Sequence, residues 1–482
     1  MPVRRPMQSR EVGGPRSGRY WRYVASLLLL GAVSALASAG ADAALPVDGH
    51  RSPFLVSTAG SAAGEWTTYG DSSLRQSTQP ASPVLQPLRR RWTRTNLDGT
   101  VYGEPIVSAG LVYVATENAT VYALRASTGR IVWTRHLGTP VPAGDLPCGD
   151  ISPTVGVSST MVADVALGRI FVSSALLVRG AIRHRLFALA LATGAVEFSR
   201  GLDVAHWNAA AQLQRTGLAL DEGRVIVGFG GNYGDCSQYH GYVMGVPETG
   251  TGATLVYRVP TKNEGAVWAP SGVAVDGAGN IYFATGNGSS QTSFDHGDSV
   301  IELSAALRAR GYFAPSNWAA DNATDADLGS TSPIIVPGNE IFMVGKEETA
   351  FILDASRLGG VGHQLSSFAV CNSRGGNAYS NGNLYIACPD ASLTALKLSG
   401  TSMSLLWRAP GGVSGSPTVA GGLVWAISSG RLLGLDPGNG SVVVSIPTID
   451  TPHFAAPSAA EGLLFVAGNG VEAYQGPSGY LG

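Results

Sequence analysis

Residues 104–138 read EPIVSAGLVYVATENATVYALRASTGRIVWTRHLG, and their pattern decides the fold. Apolar side chains alternate through short runs broken at Ala109-Gly110 and Glu117-Asn118, and Thr128-Gly129 then turns into Ile131-Val132-Trp133. A period of two, punctuated by small and polar turn residues, predicts short antiparallel strands joined by tight turns. The unit starts near residue 99 and ends at Gly138 with an aromatic on its last strand.

The same rhythm returns along the chain. A second copy, 151–202, places Thr193-Gly194 where the first has Thr128-Gly129 and carries Phe198 near the Trp133 slot. Further copies occupy 212–259, 267 to about 312, Asp327 to about Phe368, 372–408 closing on Trp407, and 411–446. The eighth, 451–476, supplies three strands and stops, while LRRRWTRT at 88–95 has the sequence of an orphan fourth strand. Repeats that cannot bury their faces alone stack on their neighbours, and joining the two chain ends in one sheet removes open edges. The expected fold is all-β: an eight-bladed β-propeller of four-stranded antiparallel blades, its ring closed by the N-terminal strand. Trp92, Trp133 and Trp407 recur after turns and are expected to plug blade against blade rather than to bind ligand.

Composition agrees. Of 482 residues only 14% are charged, whereas 64 are Gly and 27 Pro, as suits many short strands and turns. Six Arg precede the apolar run Val24 to Ala39, which predicts a signal peptide over residues 1–43, cleaved after Ala39 or Ala43. A flexible linker over 44–63 and a single propeller domain over 64–482 would follow. A secreted or periplasmic location is expected, with no stable membrane span after cleavage and no cysteine near the cleavage site to carry lipid. The remaining chain has 26 basic and 32 acidic side chains, with just three lysines (Lys262, Lys346, Lys397), which disfavours nucleic-acid binding. Four cysteines in an exported chain predict disulfides, with Cys148–Cys236 and Cys371–Cys388 as the expected pairs. No CxxCH is present, so haem is not expected, and no spacing suggests zinc.

The segment VYALRASTGRIVWTRHLG resembles the repeat of pyrroloquinoline-quinone (PQQ) enzymes: an apolar strand ending in Ala-Leu, a Thr-Gly turn, and a Trp four residues after the Gly. The opener from Trp66, with its Tyr-Gly-Asp, is similar to the lead-in of the same family. The resemblance implies site residues. Trp268 ahead of AVDGAGNIYFATGNG matches a tunnel Trp, and Asn287 a calcium ligand. TDADLGSTSP matches the turn with the catalytic base, giving Asp327, and GKEETAFILDA matches the strand whose cation meets the quinone, giving Lys346. The loop GFGGNYGDCSQYHGYV resembles a calcium-binding loop and suggests Asp235 as a carboxylate ligand. In that chemistry calcium polarises a quinone carbonyl while a carboxylate removes the alcohol proton. Asn287 equally suits a tight turn and Asp327 a turn anchor ahead of Ser330, while His240, beside Tyr239 in the calcium-type loop, would either point into the central tunnel or be an ordinary loop histidine.

The implied function is an exported quinoprotein-type dehydrogenase that oxidises an alcohol or sugar hydroxyl with PQQ and calcium and passes electrons to a separate acceptor. Against it, the family's alcohol dehydrogenases carry two adjacent cysteines, and this chain has no adjacent pair. The rival is a non-catalytic propeller scaffold like the lipoprotein of the outer-membrane assembly machinery, whose partner would be a cell-envelope protein.

Overall fold

A computed structural model describes residues 64–412 and 415–479. The expected signal peptide and linker lie outside the described residues. Eight four-stranded blades succeed one another around an axis. Blade 1 consists of Ile106–Ser108, Leu111–Ala115, Thr120–Arg125 and Ile131–His136, so each turn read from the sequence separates two strands. Blades 2 to 7 span 162–201, 219–258, 274–314, 334–369, 378–408 and 418–447. In blade 8, Ser458–Ala460, Leu463–Gly468 and Gly470–Gln475 are joined by Arg89–Arg94 from the other end of the chain. Arg89 pairs with Gln475 and Arg94 with Val471 in antiparallel register, so the orphan strand closes the ring as expected.

The repeated Thr-Gly turn and the repeated aromatic form one device. Gly129, Gly194, Gly250 and Gly440 have φ between +66° and +73°, a backbone region glycine enters without strain. Each lies flat against the aromatic of the preceding blade: Trp92, Trp133, Phe198 and Trp407 respectively. The three indoles also donate across the junction, Trp92 Nε1 to the Ala126 carbonyl (2.7 Å), Trp133 to Leu191 (2.9 Å) and Trp407 to Pro437 (2.9 Å). Blade-to-blade packing thus satisfies the polar edge of a ring whose apolar face it buries. Both expected disulfides are present, with Cα separations of 6.1 Å for Cys148–Cys236 and 5.8 Å for Cys371–Cys388.

The opener proves to be more than a lead-in. The innermost strand of each blade is an edge with free amides facing the axis, and residues 66–77 circle inside the ring to meet them. Trp66 exchanges two backbone bonds with Val107 of blade 1, and the Thr67 carbonyl accepts from Ala163 of blade 2. The carbonyls of Ser73, Leu74, Gln76 and Ser77 accept from Val275, Ile335, Tyr379 and Val419 of blades 4, 5, 6 and 7. Blade 3 is reached through Thr68 and Arg75, both bonded to the Leu218 carbonyl at 3.2 Å. Arg75 is 1% exposed, and its guanidinium also donates to the carbonyls of Val273 (2.7 Å) and Tyr69 (2.9 Å). Those bonds are what make a buried cation tolerable. The axis is therefore filled at its middle by residues 66–77 of the same chain.

Candidate functional site

Antiparallel connection puts the entry to each inner strand and the loop between the second and third strands at the same end of the ring. Four of the five residues singled out from the sequence come from such segments of blades 4 and 5. Trp268 precedes the inner strand Ala274–Val275 of blade 4, and Asn287 lies in the loop after Ile281–Ala284. Asp327 caps the short turn Leu328–Ser330 leading into Ile334–Val336, and Lys346 follows Glu340–Val344.

Asp327 is at the centre of the group and only 4% exposed. Its Oδ2 lies 2.7 Å from Lys346 Nζ, and its Oδ1 accepts the Asn287 backbone N–H at 2.7 Å. Lys346 Nζ also meets Asp325 Oδ1 at 3.1 Å and stands 5.8 Å from the centre of the Trp268 ring. Gly286 explains why the strand end reads Thr-Gly-Asn. A Cβ there would fall 2.7 Å from Asp327 Oδ1 and 3.3 Å from Trp268 Nε1, so glycine lets carboxylate and indole close on the backbone. Close approach, rather than a tight turn, requires this residue.

Burial pushes the Asp327 carboxyl up, opposed by the neighbouring Lys346 ammonium. Burial works against the Lys346 charge, but Asp327 and Asp325 outweigh it and raise its pKa. Asp298, unexposed, donates nothing; its Oδ1 accepts the Leu328 N–H at 3.0 Å and so fixes the turn that carries Asp327. Its carboxyl is pushed well up by burial and by the Asp327 charge. Glu347 is likewise pushed well up by burial. Asp298, Asp325 and Glu347 were missed in the sequence, because nothing in a lone acidic residue reports that the fold will gather it beside others.

Asp235, in the blade 3 loop next to Cys236, is bound by Tyr239, whose hydroxyl donates to its Oδ1 at 2.6 Å. Its carboxyl is raised by burial, opposed by the Tyr239 hydrogen bond, and its loop joins the second and third strands of blade 3, Arg224–Gly231 and Tyr242–Pro247, at the same end of the ring as the pair. His240 forms a backbone bridge with Glu264. Burial and then Arg258 lower its pKa. Phe454, at the entry to blade 8, faces Trp268 at 6.2 Å.

A flat, anionic orthoquinone finds fitting chemistry in an indole face beside a buried carboxylate–ammonium pair. A calcium ion fits less well. Asn287 engages the group through its backbone, and among the described residues no three histidine, cysteine, aspartate or glutamate side chains gather closely enough to hold a metal. Among the described residues, too, no helix is long and apolar enough to cross a membrane.

Quinohemoprotein alcohol dehydrogenase ADHIIG from Pseudomonas putida HK5 superposes with a TM-score of 0.65 at 16% identity, over 86% of this chain and 80% of that one. The quinohemoprotein alcohol dehydrogenase of Comamonas testosteroni gives 0.64 at 16%, over 85% and 80%. BamB from Moraxella catarrhalis gives 0.55 at 13%, over 80% and 99%. At such identities the likeness speaks for the fold. None of the curated proteins matches in sequence. Residues 88–357 match the PQQ-repeat family profile described as outer membrane protein assembly factor BamB. With more than half its length matched and eight blades of that repeat, the chain belongs to this PQQ-repeat β-propeller family.

Proposed function

We propose that the protein is a quinoprotein-type dehydrogenase acting on an alcohol or sugar hydroxyl, with Asp327 as the proton acceptor. The observation that carries this reading is the Trp268–Asp327–Lys346 group, drawn from three separate segments to one end of the ring. PQQ, when bound, supplies the two-electron acceptor. Trp268 offers a flat face to such a ring, and Lys346 donates to its oxygens while offsetting negative charge. Asp327, with its pKa raised by burial, is a stronger base than an exposed aspartate and takes the hydroxyl proton at Oδ2, where Lys346 now rests. The Asn287 N–H on Oδ1 fixes the carboxylate plane. Calcium would complete this reading through Asn287 and Asp235, whose present bonds, the Asn287 backbone N–H to Asp327 and the Tyr239 hydroxyl to Asp235, leave them short of a closed metal site. Export to the periplasm or beyond belongs to this reading.

One observation favours a scaffold without cofactor. Lys346 is already neutralised by Asp325 and Asp327, so little positive charge is left at the mouth to hold a tricarboxylate unless a cation joins it. Calorimetric titration of the purified protein with PQQ, with and without calcium, separates the two readings. Stoichiometric, calcium-dependent binding supports the dehydrogenase. No heat under either condition removes it and leaves a propeller whose partner is a cell-envelope protein.

A further inference from the structure

Three consecutive blades place an aspartate where the inner strand turns into the second. Asp164 and Asp276 work there as turn caps. Asp164 Oδ1 accepts the Leu167 N–H at 2.9 Å, and Asp276 Oδ1 accepts those of Ala278 and Asn280 at 2.9 and 2.8 Å. Asp221 does not. Its hairpin is the two-residue turn Glu222-Gly223, with φ of +43° and +74°, which closes without a side-chain cap. Asp221 is 2% exposed, and both carboxylate oxygens are buried with no hydrogen-bond partner. An ionised carboxylate so placed is strongly unfavourable unless something charged meets it.

What surrounds it is more acid. Glu222 Oε1 and Asp221 Oδ1 converge on Gly279 of the blade 4 turn, lying 3.0 and 3.3 Å from where a Cβ would stand. Asp276 is close enough to add its charge, and Glu248, 8% exposed, feels Asp221 in turn. We propose that Asp221 and Glu222, completed by turn carbonyls and water, bind a hard divalent cation of the calcium class between blades 3 and 4. The ligands are all oxygen, and two carboxylates without a third describe a weak, water-rich site with Kd on the order of 0.1–1 mM. It lies at the end of the strands opposite Asp327, and it is independent of the quinone reading. Its effect is to strap two neighbouring blades together where the Trp–Gly contact is not.

The test uses the purified full chain, stripped with a chelator, titrated with calcium chloride by calorimetry and melted with and without calcium. One site and a rise in Tm with calcium are expected. Asp221→Asn should weaken binding at least about tenfold, and Glu222→Gln, at an exposed position, should do so without endangering the fold. In chelator Asp221→Asn should melt at or above the wild type, because an uncompensated charge is gone, yet below it in saturating calcium. Asp327→Asn should leave this titration unchanged, which separates it from an ion at the opposite mouth. Absence of any calcium effect on the wild type overturns the proposal, as does unaltered affinity in Glu222→Gln, or binding lost in Asp327→Asn and kept in Asp221→Asn.

Discussion

Gly194→Ala tests whether the Thr-Gly turns hold the ring together through the aromatic they touch. Its φ of +66° charges any L-residue about 1–2 kcal/mol for entering left-handed backbone. The new methyl would also lie 2.7 Å from Trp133 Cδ2 and 2.8 Å from Cζ3, and pushing the indole away is an overpacking change of about 1–3 kcal/mol. The fold carries its own control in the same blade. Gly168 has φ +65° but nothing within 4 Å of its would-be Cβ. Gly168→Ala should therefore show the backbone part alone, and the difference between the two variants, about 1–3 kcal/mol, is the contact with Trp133. Guanidinium unfolding followed by tryptophan fluorescence, compared through midpoints at constant m, reads that difference. Equal midpoints for Gly194→Ala and Gly168→Ala would refute the role given to the turn glycines.

Asp327→Asn should lower the turnover of a PQQ-loaded, dye-linked assay by about 10²–10⁴-fold while PQQ affinity stays near wild type; intact turnover makes Asp327 a turn anchor only. Replacing Cys148 and Cys236 by Ser opens a loop of 88 residues and should cost about 2–4 kcal/mol of stability, read by the same unfolding midpoints. Burial raises Glu117 and Asp221 to about 7 and Glu104 to about 8. A raised acid binds its proton more tightly folded than unfolded, so the stability it contributes is complete below the ordinary carboxylate range near 4 and is lost as pH rises to 8. In chelator, Tm should fall from pH 5 to pH 8; a flat profile would mean these carboxyls are compensated.

The ring was legible because its parts are periodic. Trp92, Trp133 and Trp407 repeat with their turns, and LRRRWTRT reads as a fourth strand wherever it stands in the chain. The fit of residues 66–77 inside the ring was not legible, since their seven partners are spread from Val107 to Val419 and the segment has no periodicity of its own. The grouping of Trp268, Asp327 and Lys346 could be anticipated through family likeness, and Gly286 shows afterwards why the spacing matters. Asp298 and Asp221 gave no such signal. A buried aspartate and a solvated one are spelled alike, and only the packing distinguishes Asp221 from Asp164 and Asp276.

The threading of residues 66–77 through the ring has a consequence in time and in traffic. The portion synthesised early cannot find its last partner, Val419, until nearly the whole chain has been made, so the finished state waits on the C-terminal blades and a shortened chain leaves inner amides bare. The centre of the ring is thus occupied by the chain itself. On the proposed reading, an alcohol reaching Trp268 and Asp327 would then have to leave by the rim it entered.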